Sequence, residues 1–485
     1  MGIVFKQSFN NTLILFLGFT IGGINVLFLY THFLEAEYFG LITFLLSSAN
    51  MIMPLLVFGM QHTIIKFFSA YQHKEEQDGF LLTAVLLPML IIIPLSVIGV
   101  LFYHQIAEYL ARENIIIEKY TYTIFFTSIF MGYFEIFYAW SRVQMKSVFG
   151  NFIKEVFARI CISFLLLAVY LDWINSEQFV YAVVIVYLLR MIIMKMYALY
   201  IYLPEIKWTG LPKNIKEILS FSLYIIMAGS AGTILLEIDK FMIPQMKHIA
   251  EVAYYSVGVY IASVIGIPSR AMQQIINPIT ARELNNGNLG EVKSLYEKSS
   301  LNLLIVGGLL FLLINTNIQD LYEIIDKPEY SVGIYVVLVI SISELIKLSL
   351  GTNGAILTNS SYYRILFYYA IGMAVSVVIL NRILIVYMGI QGAALATLIV
   401  VFIFSLLRIF YVNMKMKMQP FGSKTGLLLI VIAALFLVFY FIPLPFNAYL
   451  NILIRSCLVI AVFITLVIKL KLSAEMNQIF NKYLG

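Results

Sequence analysis

The sequence predicts an all-α polytopic membrane protein of about 14 transmembrane helices, two pseudo-symmetric six-helix lobes followed by two C-terminal helices. Three observations predict it. The chain is 61% hydrophobic and only 12% charged, with a mean hydropathy of +0.92, whereas soluble domains are about 45–50% apolar and about 25% charged. Fourteen apolar stretches fill the 485 residues, each long enough to cross a hydrocarbon core of about 30 Å as a helix that satisfies its own backbone hydrogen bonds. The short loops between them alternate in positive charge. Together these exclude a water-soluble domain.

The spans are expected at 12–31, 39–60, 80–103, 120–141, 150–171, 178–201, 217–236, 251–278, 300–318, 331–357, 362–385, 390–412, 425–443 and 448–468. Of the 32 Lys and Arg residues, twenty fall in loops on one side, among them Lys66, Lys74, Arg142, Lys146, Lys154, Arg282, Lys293 and Lys424. Six fall on the other: Arg112, Lys119, Lys240, Lys247, Lys327 and Arg382. By the positive-inside rule both termini are cytoplasmic, which requires an even number of spans. The net charge of +6 is then a topology signal and implies no nucleic-acid partner. Lys6 is followed by a full-length apolar segment with no small-residue cleavage site, so that segment is expected to stay as a membrane helix. Cys161 and Cys457 lie inside spans and suit packing rather than a disulfide. Trp140, Trp173 and Trp208 fall at or beyond span ends, where interfacial anchoring is expected.

Loop lengths bear on function. The longest external connections, 104–119 and 319–330, are too short for an extramembrane catalytic domain. The basic connection 204–216 falls midway through the first twelve spans, giving an N-terminal lobe at 1–203, a cytoplasmic linker at 204–216, a C-terminal lobe at 217–415, and spans thirteen and fourteen with a tail at 416–485. At a fixed offset Gly18, Glu37 and Pro54 meet Gly232, Glu251 and Pro268, and the sixth and twelfth spans end alike in Leu188-Leu189-Arg190-Met191 and Leu406-Leu407-Arg408-Ile409. Two parallel six-span repeats are an arrangement used by alternating-access transporters. Spans thirteen and fourteen then read as an appendage.

No P-loop, HExxH or nucleophile elbow occurs, and the five histidines are dispersed, so the chain carries no enzyme motif and no metal ligand set. The informative residues are ionisable groups inside spans, each costing about 2.5–3.5 kcal/mol or more at mid-bilayer unless it faces protein or water. Arg270 follows Pro268 in the eighth span, with Gln273 and Asn277 at helical spacing, so one face is polar over two turns. A guanidinium there suits bidentate phosphate contact, or else snorkels to the headgroups. Arg159 of the fifth span is placed to pair with Glu135 of the fourth, and Glu344 with Lys347 along the tenth. Arg190 and Arg408 read as headgroup anchors. Asp239 and Lys240 end the seventh span as a cap or interface pair, and Asn25 and Gln61-His62 either line a cavity or join helices.

Several local patterns recur in order along the chain: Glu37-Tyr38-Phe39-Gly40, Gly59, Asp239-Lys240-Phe241-Met242-Ile243, Val252-Ala253-Tyr254-Tyr255-Ser256 and Gly389-Ile390-Gln391-Gly392-Ala393-Ala394. With the size and the fourteen spans they make the chain resemble, over essentially its whole length, the O-antigen and capsule repeat-unit flippases of the multidrug, oligosaccharidyl-lipid and polysaccharide exporter superfamily. The resemblance implies a non-enzymatic multi-pass protein of the bacterial inner membrane that moves undecaprenyl-diphosphate-linked oligosaccharide outward by alternating access around a cationic cavity. It implies no cofactor, coupling to an H+ or Na+ gradient at most, and polysaccharide polymerase and chain-length proteins as partners. By charge and depth, Arg270, Arg159, Lys347, Gln273, Asn277 and Asn25 are the substrate contacts to expect, and Glu135, Glu344 and Asp239 the ion carriers. By analogy spans thirteen and fourteen form a groove for the polyprenyl tail. An ion-coupled multidrug exporter is the rival, but in-span cations (Arg159, Arg190, Arg270, Lys347, Arg408, Arg455) outnumber in-span acids (Glu135, Glu344), which disfavours cationic cargo.

Overall fold

The structure, a computed structural model, describes residues 2–205, 212 and 214–473. Most of the expected linker, Trp208 and the tail with Lys482 lie outside the described residues. Every regular element among those described is helical. The chain packs as two compact units, Met1–Ala253 and Tyr254–Gly485.

In the first unit α1 (Gly2–Ile24) passes through a π-helical turn at Asn25–Leu29 into α2 (Tyr30–Phe33). The helices α3 (Ala36–Leu56) and α4 (Met60–Phe67) follow, then α5 (Lys74–Leu86), α6 (Met89–Leu101) and α7 (Tyr103–Ala111). After the long α8 (Ile116–Val143), α9 (Ser147–Phe152) runs through a second π turn, Ile153–Phe157, into α10 (Ala158–Tyr170). The unit ends with α11 (Ser176–Ile201), α12 (Ile215–Met242) and the first turn of α13 (Ala250–Ser263). Its centre is α8, against which α3, α4 and α11 pack, and α12 packs on α3. Phe134, Phe137, Trp140, Phe80 and Met194 share one core there. Trp140 is therefore a core residue rather than an interfacial anchor, because its ring packs onto Phe137; Trp173 is 76% exposed, as an anchor would be. One asparagine fastens two of the unit's connections: Asn114 donates to the carbonyls of Pro244 and Lys247 at 2.7 and 2.9 Å and accepts from the Ile249 amide at 2.8 Å.

In the second unit α13 gives way to a 3-10 turn at Val264–Gly266, and α14 (Ile267–Asn285) starts with Pro268 in its first turn, where a missing N–H costs nothing. There follow α15 (Leu289–Thr316), α16 (Ile318–Ile325), α17 (Ile334–Ser349), α18 (Asn353–Thr358), α19 (Ile365–Met416), α20 (Ser423–Phe441) and α21 (Ala448–Lys469). Here α15 is central, packed by α14, α17, α20 and α21. Leu428, Ile432, Leu435, Val459 and Phe463 of the C-terminal pair join Leu304 and Leu312 in a single core. The last two helices are thus built into the unit rather than appended to it.

Eleven helical segments among the described residues are long and apolar enough to cross a membrane. One of them, the 52-residue α19, breaks at Gly389, whose φ of 58° and ψ of −137° no side chain tolerates well. The break separates the expected spans 362–385 and 390–412. The helix over 147–170, at the fifth expected position, is not among the eleven and carries Lys154, Glu155 and Arg159.

Candidate functional site

The charged side chains within the helices sort by whether a carboxylate accompanies them. In the first unit the expected Arg159–Glu135 pair does not form. Glu135 instead takes Lys154 at 2.8 Å, and Arg159 takes Glu155 at 3.3 Å, one turn back on its own helix. The π turn at 153–157 explains the exchange: it adds a residue to the turn and releases carbonyls from the α ladder, and the freed Glu155 carbonyl accepts from Arg159 Nη1 at 2.9 Å. Gly18 makes room, since a Cβ there would lie 2.6 Å from both Arg159 Nη1 and the Glu155 carbonyl oxygen. Asn25, buried at the start of the facing π turn, donates to the Arg159 carbonyl at 2.9 Å and accepts from Ser163 at 2.6 Å. Its side chain joins two helices. Near the end of α12, Lys240 pairs with Glu237 at 2.8 Å, Asn50 reaches the same carboxylate at 3.5 Å, and Asp239 is buried.

The second unit follows the same pattern. Glu344 and Lys347 form the expected pair on α17, and the Glu344 carboxylate presses on Gly266 in the 3-10 turn that breaks the eighth span. Arg455 of α21 is bonded to Asp320 of α16, and Asn451 donates to the same carboxylate at 2.9 Å. Arg159, Lys347 and Arg455 are thus neutralised. Arg190, Arg408 and Arg270 have no carboxylate partner among the described residues.

Of these three, Arg190 is buried with its guanidinium 3.9 Å from the centre of the Phe134 ring, so it is no headgroup anchor. Arg408 is half-buried and donates from Nε to Asn353 at 3.1 Å. Only Arg270 is exposed, and among the described residues it has neither a hydrogen bond nor an ion pair. It lies in the first turn of α14, which continues to Asn285. Gln273 donates to Ser269 at 3.0 Å. Gln273 and Asn277 line a cavity of about 480 Å³ inside the second unit, whose wall has no charged side chain among the described residues.

A second cavity, of about 290 Å³, lies inside the first unit, where Glu135, Lys154 and Arg142 meet Gln61 and His62. Gln61 Oε1 is buried there without a partner. Lys154 and Arg142 were read as loop charges, because positive-inside counting assigns every basic residue near a span end to the loop. Lys154 lies four residues inside the expected fifth span, and that position was the available signal. Among the described residues no three His, Cys, Asp or Glu side chains are grouped to hold a metal ion.

The model of the polysaccharide biosynthesis protein family matches residues 8–282, more than half of the sequence. The chain belongs to that family. No curated protein matches it. Its fold is similar to that of the lipid II flippase MurJ in an inward closed conformation, with a TM-score of 0.71 at 16% identity over 96% of this chain and 99% of that one. It is also similar to an inward-facing multidrug resistance MATE family transporter of the MOP superfamily, with a TM-score of 0.58 at 12% identity over 86% and 95% of the two chains. A MOP superfamily transporter from Pyrococcus furiosus gives a TM-score of 0.57 at 10% identity over 85% and 96%. At such identities the likeness is one of fold. This member of the polysaccharide biosynthesis family is therefore a multi-pass helical membrane protein with a flippase and MOP transporter fold.

Proposed function

We propose that this polysaccharide biosynthesis protein is a flippase that carries an undecaprenyl-diphosphate-linked oligosaccharide, the repeat unit of an O-antigen, capsule or exopolysaccharide, across the bacterial cytoplasmic membrane by alternating access. The observation that carries the reading is Arg270: a guanidinium on a kinked helix of a transporter fold, exposed, and among the described residues without a carboxylate to neutralise it. A planar fork of donors matches a phosphate bidentately, and a diphosphate is the one strongly anionic part of such a substrate. Family membership supplies the polysaccharide context. Arg159 and Lys347, held by Glu155 and Glu344, reach the substrate on exchange of partners, and Asn25 does so on separation of its π turn from α10. Glu344, pressed against the break in the eighth span, and Glu135 and Asp239 in the first unit are the candidate carriers of a coupling proton or Na+. Released outside, the oligosaccharide would pass to a polysaccharide polymerase and its chain-length proteins.

The MATE transporters share the fold, so an ion-coupled multidrug exporter is the second reading. Three arginines without carboxylate partners weigh against organic cations as cargo. Lipid-linked glycans of a deletion strain, measured by mass spectrometry beside surface polysaccharide, separate the two. Accumulated undecaprenyl-diphosphate oligosaccharide with a bare surface is expected. Unchanged glycans with raised sensitivity to cationic drugs overturn the flippase.

A further inference from the structure

The cavity in the second unit has a chemistry of its own. Gln273 and Asn277 on α14 line it with Thr352, Thr358 and Asn359, and among the described residues no Lys, Arg, Asp, Glu or His lines it. Every polar side chain on the wall is an amide or a hydroxyl, groups that both donate and accept. Several are uncommitted. Asn277 makes no side-chain hydrogen bond among the described residues. The Gln273 and Asn359 amino groups are taken by Ser269 at 3.0 Å and the Ala355 carbonyl at 2.8 Å, which leaves both amide oxygens to accept. Thr352, 5% exposed, borders the cavity, but its Oγ1 is buried and does not open to it. Leu303 and Ala355 supply an apolar floor. At about 480 Å³ the space falls in the range of small-molecule sites, about 300–1,000 Å³.

An anion would be desolvated here with no cation on the wall, Arg408 lying behind Gly354 and bonded to Asn353, and a purely apolar ligand would strand four polar groups. A neutral sugar fits both constraints, since each hydroxyl donates and accepts while the C–H face of the ring lies on aliphatic side chains. Residues 270, 273 and 277 share one helix face, and seven residues at 1.5 Å each put Arg270 about 10 Å along the axis from Asn277, the scale of a phosphate and the sugar attached to it. Resting on the flippase reading, we propose that this cavity is the subsite for the uncharged sugar nearest the diphosphate, a neutral hexose or N-acetylhexosamine, with the phosphate itself at Arg270. Selectivity for neutral over acidic sugars at that one position follows from the uncharged wall.

The test is saturation-transfer NMR on the full chain in nanodiscs, with methyl glycosides of glucose, N-acetylglucosamine and glucuronic acid as probes. Transfer to the neutral glycosides, absent for the glucuronide, is expected. Asn277→Leu and Asn359→Leu, both at exposed positions and each checked by melting temperature, should weaken it by about tenfold, the effect of one lost hydrogen bond of about 1.4 kcal/mol. No transfer to either neutral sugar, a preference for the glucuronide, or transfer unchanged in both leucine variants overturns the subsite. A deletion strain that accumulates lipid-linked glycan beside a protein that binds no neutral glycoside keeps the flippase and removes the subsite. Neutral-sugar binding without glycan accumulation does the reverse.

Discussion

What an arginine does inside a membrane protein depends on the group that comes with it. Arg455 meets Asp320, Arg190 meets an aromatic ring, and Arg270 is exposed with no carboxylate partner among the described residues. Counting in-span charges treats the three as equal. Counting pairs does not, and it adds Glu155, Glu237 and Asp320 to the acids while leaving three arginines uncompensated. Arg270→Ala should reduce glycan export to background at unchanged membrane abundance, since each hydrogen bond to a charged group is worth about 1.5–3 kcal/mol and a bidentate contact has two. Arg270→Lys should recover only part, because a point charge replaces the fork. Normal surface polysaccharide from a stably inserted Arg270→Ala protein removes this residue from the site.

Among elements, the irregular turns do the positioning. Of the two π turns, Asn25–Leu29 and Ile153–Phe157, the first is tied to α10 where Asn25 donates to the Arg159 carbonyl, two residues past the second. A sequence pattern of period 3.6 gives no sign of the extra residue in such a turn, so the partner exchange among Glu135, Lys154, Glu155 and Arg159 was not legible. The 3-10 turn at Val264–Gly266 was half legible, through Pro268. The join of α21 to α16 was invisible for a different reason: Asp320 and Arg455 are 135 residues apart and meet only on folding. Asp320→Ala leaves Arg455 buried and uncompensated, a loss of about 3–5 kcal/mol. A clear fall in the melting temperature of the purified protein is expected. Adding Arg455→Met should restore most of it, and a single variant that melts with the wild type shows the pair to be dispensable.

At the scale of the whole molecule the positive-inside reading places both termini and the loop around Asn286 in the cytoplasm, with Arg112 and Lys327 outside. In a background lacking Cys161 and Cys457, a membrane-impermeant maleimide should label Arg112→Cys and Lys327→Cys in intact cells, and Met145→Cys and Asn286→Cys only after lysis. The opposite pattern inverts the protein and the direction of transport with it. The suspected duplication has an echo in each unit. Arg190 rests on Phe134 and Arg408 bonds Asn353, so the arginines of the two Leu-Leu-Arg segments reach back by nearly the same chain distance, 56 and 55 residues.

By itself the sequence determined that this protein is a multi-pass helical membrane protein and where most of its apolar helices run, and it singled out Arg270. Those properties are local: hydrocarbon demands a run of apolar residues with closed backbone hydrogen bonds, and an arginine after a kinking proline is conspicuous in one dimension. Tertiary structure alone decided which charges are neutralised, that Trp140 and Arg190 are core residues, that the last two helices complete the second unit, and that Gln273 and Asn277 open onto an uncharged cavity. Each of these depends on groups brought together from distant parts of the chain, and in a protein this apolar nearly every helix face can pack on nearly any other, so hydrophobicity carries no record of the choice.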